Sequence, residues 1–172
     1  HLSYFLGLEV THTNDGLFLG QAKYARDILD WAQMLSSKVV ATPWAVGPQL
    51  HSTQGRPFRD PTLYRSLVGV YQYLTITWPD LSFAVNSVSQ FLQAPTDAHF
   101  LVVKRILRYV RGTIHYRLNF SRSTDSSIVQ GYSDADWARC LETWRSTYGY
   151  AIFLGNNLVS WSAKKQPTVS HS

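Results

Sequence analysis

Residues 96–112 read TDAHFLVVKRILRYVRG. Val103, Ile106, Leu107 and Val110 recur at three- and four-residue intervals, the spacing that lines one face of an α-helix. Thr96 offers a side-chain oxygen ahead of the first turn and Gly112 a stop after the last, so the stretch predicts a helix over 97–111. A second face is cationic: Lys104, Arg108 and Arg111 fall at i, i+4 and i+7. After Gly112 the apolar period drops to two, which is the period of a strand. The chain therefore divides into a helical part and a β-rich part, and the fold class expected is α+β.

Two more helical patterns lie just upstream. Leu63, Leu67, Val70 and Leu74 predict a helix near 62–75, and Leu81, Ala84, Val85, Val88 and Leu92 predict one near 79–93, opened by Pro79. Short connections between these three helices imply antiparallel neighbours. An earlier helix is expected at about 21–35, from Tyr24, Ile28, Leu29, Ala32 and Leu35. Between it and the others, residues 36–61 carry Pro43, Pro48, Pro57, Pro61, Gly47 and Gly55, which break any period. At the start, the apolar runs YFLGLEV (4–10) and LFLGQ (17–21) flank Asn14-Asp15-Gly16, a turn triplet, and predict a hairpin near 4–21. At the end, GTIHYRLNF, SSIVQGYSDADW, STYGYAIFLG and LVSWSAKK read as strands. A three-stranded antiparallel sheet is expected from about 127–136, 147–154 and 158–163, with Asn156-Asn157 as a turn and a boundary between the halves near 113–126.

The chain has 172 residues and a formal net charge of +5. The charge is concentrated: residues 98–124 hold Lys104, Arg105, Arg108, Arg111, Arg117 and Arg122 and no acid. A basic segment of this kind is either a solvated helix face or a surface that follows phosphates. No apolar run approaches the roughly 18 residues of a membrane span, and the start HLSYFLGLEV lacks a basic leader and contains Glu9. The chain opens on His1, with its single methionine at Met34, as a piece of a longer polypeptide would. One cysteine, Cys140, is compatible with a reducing compartment, so an intracellular protein, cytoplasmic or nuclear, is expected. Cys140 has no evident base partner, and His1, His12, His51, His99, His115 and His171 lack metal-ligand spacing, so all are read as structural or surface residues. There is no nucleophile elbow and no glycine-rich phosphate loop. Residues 132–139, YSDADWAR, place Asp134 and Asp136 on one face of a strand end. Two such carboxylates are either turn chemistry or ligands for a divalent ion.

The blocks FLGLEV…GLFLGQAKYARDIL, YRSLVGVYQYLTITWPDLSFAVNSVSQF, HFLVVKRILRYVRGT and GYSDADWARC…RSTYGYAIFLGNNLVSWSAKKQPTVS occur here in order. Together, from Tyr4 to the last residue, they resemble the pol polyprotein of copia-type LTR retrotransposons. That resemblance implies a reverse transcriptase followed by a ribonuclease H. Residues 1–20 would be the end of the polymerase palm, a hairpin supporting the primer, and the polymerase aspartates would lie upstream. Residues 21–112 would be helical thumb- or connection-like elements around a template–primer duplex. Residues 113–126 would link them to 127–172, the truncated start of a ribonuclease H-like domain. Asp134 matches the first catalytic, metal-binding aspartate of that domain, while Asp136 does not carry over and is assigned a structural role. The parent would use Mg²⁺ or Mn²⁺ as a pair of ions about 4 Å apart. Its remaining carboxylates come later in the family pattern, so Asp134 is expected to be one ligand of an incomplete site, with no cofactor firmly expected for this chain alone. The partners implied are an RNA–DNA hybrid or template–primer duplex, bound through Lys104, Arg108 and Arg111, and the rest of the polyprotein; no membrane is implied. The alternatives are a non-catalytic nucleic-acid-binding module and a decayed element without activity. Trp78, Arg139, Leu141 and Trp144 depart from the family pattern in ways that single C-to-T or G-to-A transitions produce, which suggests drift under cytosine deamination.

Overall fold

The computed structural model describes residues 3–45, 50–122, 128–136 and 145–166. In chain order the elements are β1 (Tyr4–Phe5), β2 (Leu8–Thr13), β3 (Gly16–Gly20), α1 (Ala22–Trp31), α2 (Pro61–Leu74), a 3₁₀ turn (Pro79–Leu81), α3 (Ser82–Ser89), α4 (Asp97–Gly112), β4 (Leu118–Ser121), β5 (Val129–Ala135), β6 (Thr147–Leu154) and β7 (Asn157–Lys165). They form two units: residues 21–116 are helical, and residues 1–20 with 117–172 carry the strands. The α+β class and the order of elements agree with the sequence reading.

In the helical unit, α4 buries Val103, Ile106, Leu107 and Val110, the face expected from its spacing, together with His99 and Tyr109. Thr96 caps it, and the residue three positions on, where Glu or Gln usually completes a capping box, is His99. The His99 ring accepts the Thr96 N–H at Nδ1 (3.1 Å). Its Nε2 donates to the His51 carbonyl (2.9 Å). The helix packs on α2, whose start is fixed by Pro61 and by Asp60 Oδ1 accepting the Leu63 N–H at 2.9 Å. Buried phenols of α2 donate to backbone carbonyls, Tyr64 to Val88 (2.8 Å) and Tyr71 to Val103 (3.0 Å). Burial raises both hydroxyl pKa values, so they stay protonated donors. Trp78, the departure from the family pattern that falls among the described residues, is fully buried and donates its indole N–H to Thr113 Oγ1 at 3.2 Å. It is a core residue with its polar atom satisfied.

Two helix boundaries differ from expectation. The helix expected over 21–35 ends at Trp31. Gln33 takes the left-handed conformation (φ 55), and the Gln33 and Met34 N–H groups bond back to the Asp30 and Leu29 carbonyls. This is a Schellman close. It turns Met34 onto the core and leaves Leu35, assigned to the apolar face by spacing, exposed. The helix expected over 79–93 is a 3₁₀ turn running into α3, which stops at Ser89. Ser87 and Ser89 hydroxyls donate to the carbonyls four residues back, at 2.8 and 2.7 Å, and compete with backbone bonding near the helix end.

The N-terminal hairpin is larger than expected. YFLGLEV is itself folded at Leu6-Gly7 (φ 47 and 79), which pairs Phe5 with Leu8. Asn14-Asp15 then close Thr13 on Gly16. Part of the segment read as a boundary, 113–126, is not a plain connection: β4 pairs antiparallel with β3 and completes a four-stranded sheet ordered β1-β2-β3-β4. Residues 123–126 lie outside the described residues. The pairing depends on Gly16, because a Cβ there would stand 1.9 Å from the Phe120 carbonyl oxygen.

The second sheet is ordered β5-β6-β7, antiparallel throughout, as expected. Its last turn is shifted by one residue: Leu154 pairs with Asn157, and Gly155 (φ 57) takes the first turn position, which a type II′ turn reserves for glycine. Asn157 is thereby free of the turn. Its amide accepts the Ser121 N–H at Oδ1 (2.8 Å) and donates from Nδ2 to the Ser121 carbonyl (2.9 Å), pairing with β4 as a backbone peptide would.

Gly16→Ala is expected to destabilise the β-rich unit by about 1–3 kcal/mol. Amide exchange at Leu118–Ser121 measures it directly: those amides should lose protection, while the amides of α2 and α4 keep theirs.

Candidate functional site

The basic residues of α4 do not form one uniform stripe. Lys104 is exposed and sits over the Phe100 ring, 5.2 Å from its centroid. Arg105, Arg108 and Arg111 are half-buried, and each reaches the segment that follows α1. Arg111 donates to the Ser37 carbonyl. Arg108 Nε donates to the Lys38 carbonyl at 2.6 Å, and Arg105 donates to Thr42 Oγ1 at 2.8 Å. All three acceptors are neutral, so these contacts order the guanidiniums without cancelling their charge. Lys38 is exposed on the same segment and adds another cation. Helical spacing identified Lys104, Arg108 and Arg111 but not Arg105 or Lys38. Arg105 lies one position off the stripe, and Lys38 is brought near only by the path of an irregular segment. On the buried side, Tyr109 donates to the Asp80 carboxylate. Burial and that hydrogen bond raise the Tyr109 pKa, so it remains a neutral phenol.

Asp134 and Asp136 are brought to one end of β5, as expected, but in different states. Asp134 pairs across the ladder with Gly149, which in turn pairs with Ala163, so its cross-strand neighbours carry nothing larger than a methyl group. Its carboxylate is exposed and accepts the Ala135 N–H at 2.9 Å. Asp136 is half-buried, and its carboxylate accepts the Thr147 N–H while its own N–H donates to the Thr147 carbonyl at 3.0 Å. It closes the β5–β6 ladder. Among the described residues no group of three or more His, Cys, Asp or Glu comes together. Among the described residues, Asp134 with a committed Asp136 does not make a two-ion centre.

Of the histidines, His99 is a core ligand for backbone groups, as above. His1, His171 and Cys140 lie outside the described residues, as do Arg139, Leu141 and Trp144. Among the described residues no helix is long and apolar enough to cross a membrane.

Several proteins similar to this chain are Pol polyproteins of transposons. The chain is 48% identical over 170 residues to the uncharacterized mitochondrial protein AtMg00810 of Arabidopsis thaliana, covering 98% of this chain and 70% of that one. It is 45% and 44% identical, over 99% of its length, to the retrovirus-related Pol polyproteins from transposons RE2 and RE1 of Arabidopsis thaliana. The chain belongs to the Pol polyprotein family of copia-type LTR retrotransposons. It spans 12% of each of those two polyproteins. No protein-family model matches it, and no solved structure is similar to it.

The two aspartates should separate on substitution. Asp136→Ala leaves the Thr147 N–H without its carboxylate and should cost about 1–2 kcal/mol. Asp134→Asn should stay within about 0.5 kcal/mol, as an exposed site does. Urea unfolding followed by the near-ultraviolet signal of Tyr132, Tyr148 and Trp161 measures both.

Proposed function

We propose that this chain is the junction of a retrotransposon Pol polyprotein, where the reverse transcriptase ends and the ribonuclease H begins. In the parent, the helical unit would help hold a template–primer or RNA–DNA hybrid duplex, and β5 would supply Asp134 to hybrid cleavage. The observation that supports this best is the contrast on β5. Asp136 is spent on the ladder, whereas Asp134 stands exposed beside Gly149 and Ala163, with room for a ligand to approach. When bound, a pair of Mg²⁺ or Mn²⁺ ions supplies an activated water and a stabilised leaving oxygen. One exposed carboxylate holds such a pair poorly, since Mg²⁺ gives up water reluctantly. The chain alone is therefore expected neither to copy nor to cut nucleic acid.

A second reading is a non-catalytic nucleic-acid-binding module. It is favoured by the α4 guanidiniums, whose neutral acceptors leave their charge available to phosphates. The two readings are compatible in the parent and differ for the isolated chain.

Ribonuclease assays on RNA–DNA hybrid with Mg²⁺ or Mn²⁺ test the first reading. The chain should be inactive, a longer chain extended past Ser172 should cleave, and Asp134→Asn in the longer chain should abolish cleavage. Cleavage by the unextended chain that vanishes in Asp134→Asn would overturn the reading. A salt titration tests the second. Binding should weaken steeply with salt, and replacing Lys104, Arg108 and Arg111 by Ala should flatten the slope by about 0.9 for each phosphate that is no longer neutralised. An unchanged slope would make α4 a solvated face.

A further inference from the structure

We infer that Ser37–Thr42 and the arginines of α4 form one prebuilt track for a phosphodiester backbone, in which the segment holds the guanidiniums in place for the ligand. The inference rests on the nucleic-acid-binding reading of α4 given above and adds to it a positioning element outside the helix. The contacts are in register. Arg111 meets Ser37, Arg108 meets Lys38 and Arg105 meets Thr42, so the segment runs antiparallel to the helix. Six residues of helix separate Arg105 from Arg111, a rise of about 9 Å. A guanidinium carries five N–H donors in a rigid planar fork. Each of these arginines is tied to the segment through one nitrogen, Nε of Arg108 and a terminal nitrogen of Arg105 and of Arg111. The rest of the Arg108 and Arg111 forks can serve a second acceptor, whereas Arg105 Nε is buried without a partner and leaves that arginine only its terminal nitrogens.

The segment is anchored without any ligand. Met34 before it and Val40 within it pack against the hydrophobic core. Trp44 after it meets Phe83 edge-on, with centroids 5.4 Å apart. Thr42 links these two roles: its hydroxyl accepts from Arg105 and donates to the Trp44 carbonyl at 2.8 Å. A long arginine side chain that is already ordered loses less rotamer freedom when a phosphate arrives, and that saving appears as affinity. Lysine would preserve the charge but not the fork, because an ammonium is a point donor on a flexible stem. Charge and positioning can therefore be separated by substitution.

The full chain is titrated with a labelled RNA–DNA hybrid duplex over a range of salt, and amide exchange is followed over residues 36–45. The variant with Arg105, Arg108 and Arg111 all changed to Lys should bind about tenfold more weakly at a given salt, with the wild-type salt slope, and its segment should lose protection. Thr42→Val removes the acceptor of Arg105 with little change in size and should weaken binding about threefold, again with an unchanged slope. In the wild-type chain, the duplex should leave the segment as protected as before or more so. Wild-type affinity in the lysine variant would show that charge alone suffices and would overturn the inference while sparing the binding reading. So would duplex-induced exposure of residues 36–45, the mark of a segment that competes with phosphate. If the lysine variant does not fold, Thr42→Val decides by the same criteria. Unchanged affinity and slope in the Lys104, Arg108 and Arg111 alanine variant would instead remove the reading itself, and the inference with it.

Discussion

The helical unit depends on one buried imidazole. His99 sits where a capping box normally places a carboxylate or amide, and both its nitrogens are engaged. Since Nδ1 accepts from Thr96 and Nε2 faces a carbonyl, the ring is the neutral tautomer with its proton on Nε2. Its face stacks on Phe91, 3.8 Å between centroids. The same side chain thus sets the first turn of α4, ties the loop at His51 to that turn, and packs the end of the α3 region against it. Once the start of α4 is set, the helical period decides everything downstream on it. Val103, Ile106, Leu107 and Val110 go inside, and the arginines come out along the segment after α1.

Neutral acceptors distinguish that outer face from an ordinary ion-paired surface. A carboxylate partner would hold an arginine as firmly but would cancel the field that a polyanion senses. Backbone carbonyls and a hydroxyl hold it and leave the field intact. The aspartates on β5 show the same principle in reverse. Identical side chains two residues apart differ in availability because Asp136 takes an N–H of the neighbouring strand at the end of the ladder, while Asp134 accepts from the adjacent Ala135 N–H and stays exposed.

In the β-rich unit, the constraint is how closely two backbones approach. β4 returns to the N-terminal hairpin, and its carbonyl at Phe120 occupies the space where any side chain at position 16 would begin. The free side of β4 is met by the Asn157 amide, which reproduces the donor and acceptor of a peptide group at Ser121. A sheet edge that a strand would otherwise extend is thus continued by a single side chain from the other sheet.

Wherever local physics governs, the sequence alone was sufficient. The apolar period of α4, its Thr96 cap and the period-two strands of the second sheet are properties of neighbouring residues, and they appear where spacing put them. The different status of Asp134 and Asp136 was legible only through resemblance to the Pol family, because residue type and spacing treat the two alike. The early end of α1 was not legible, since the Schellman close there uses Gln33 where glycine would have announced it. The strand at β4 was legible within GTIHYRLNF, but its place beside β3 was not, since that partner lies about a hundred residues earlier in the chain and its need for Gly16 is a contact between distant backbones. The pairing of Arg105, Arg108 and Arg111 with Ser37–Thr42 also belongs to tertiary structure alone. No periodic signal runs through a segment interrupted by turns and prolines, so its course along α4 is set by where Met34, Val40 and Trp44 find the core.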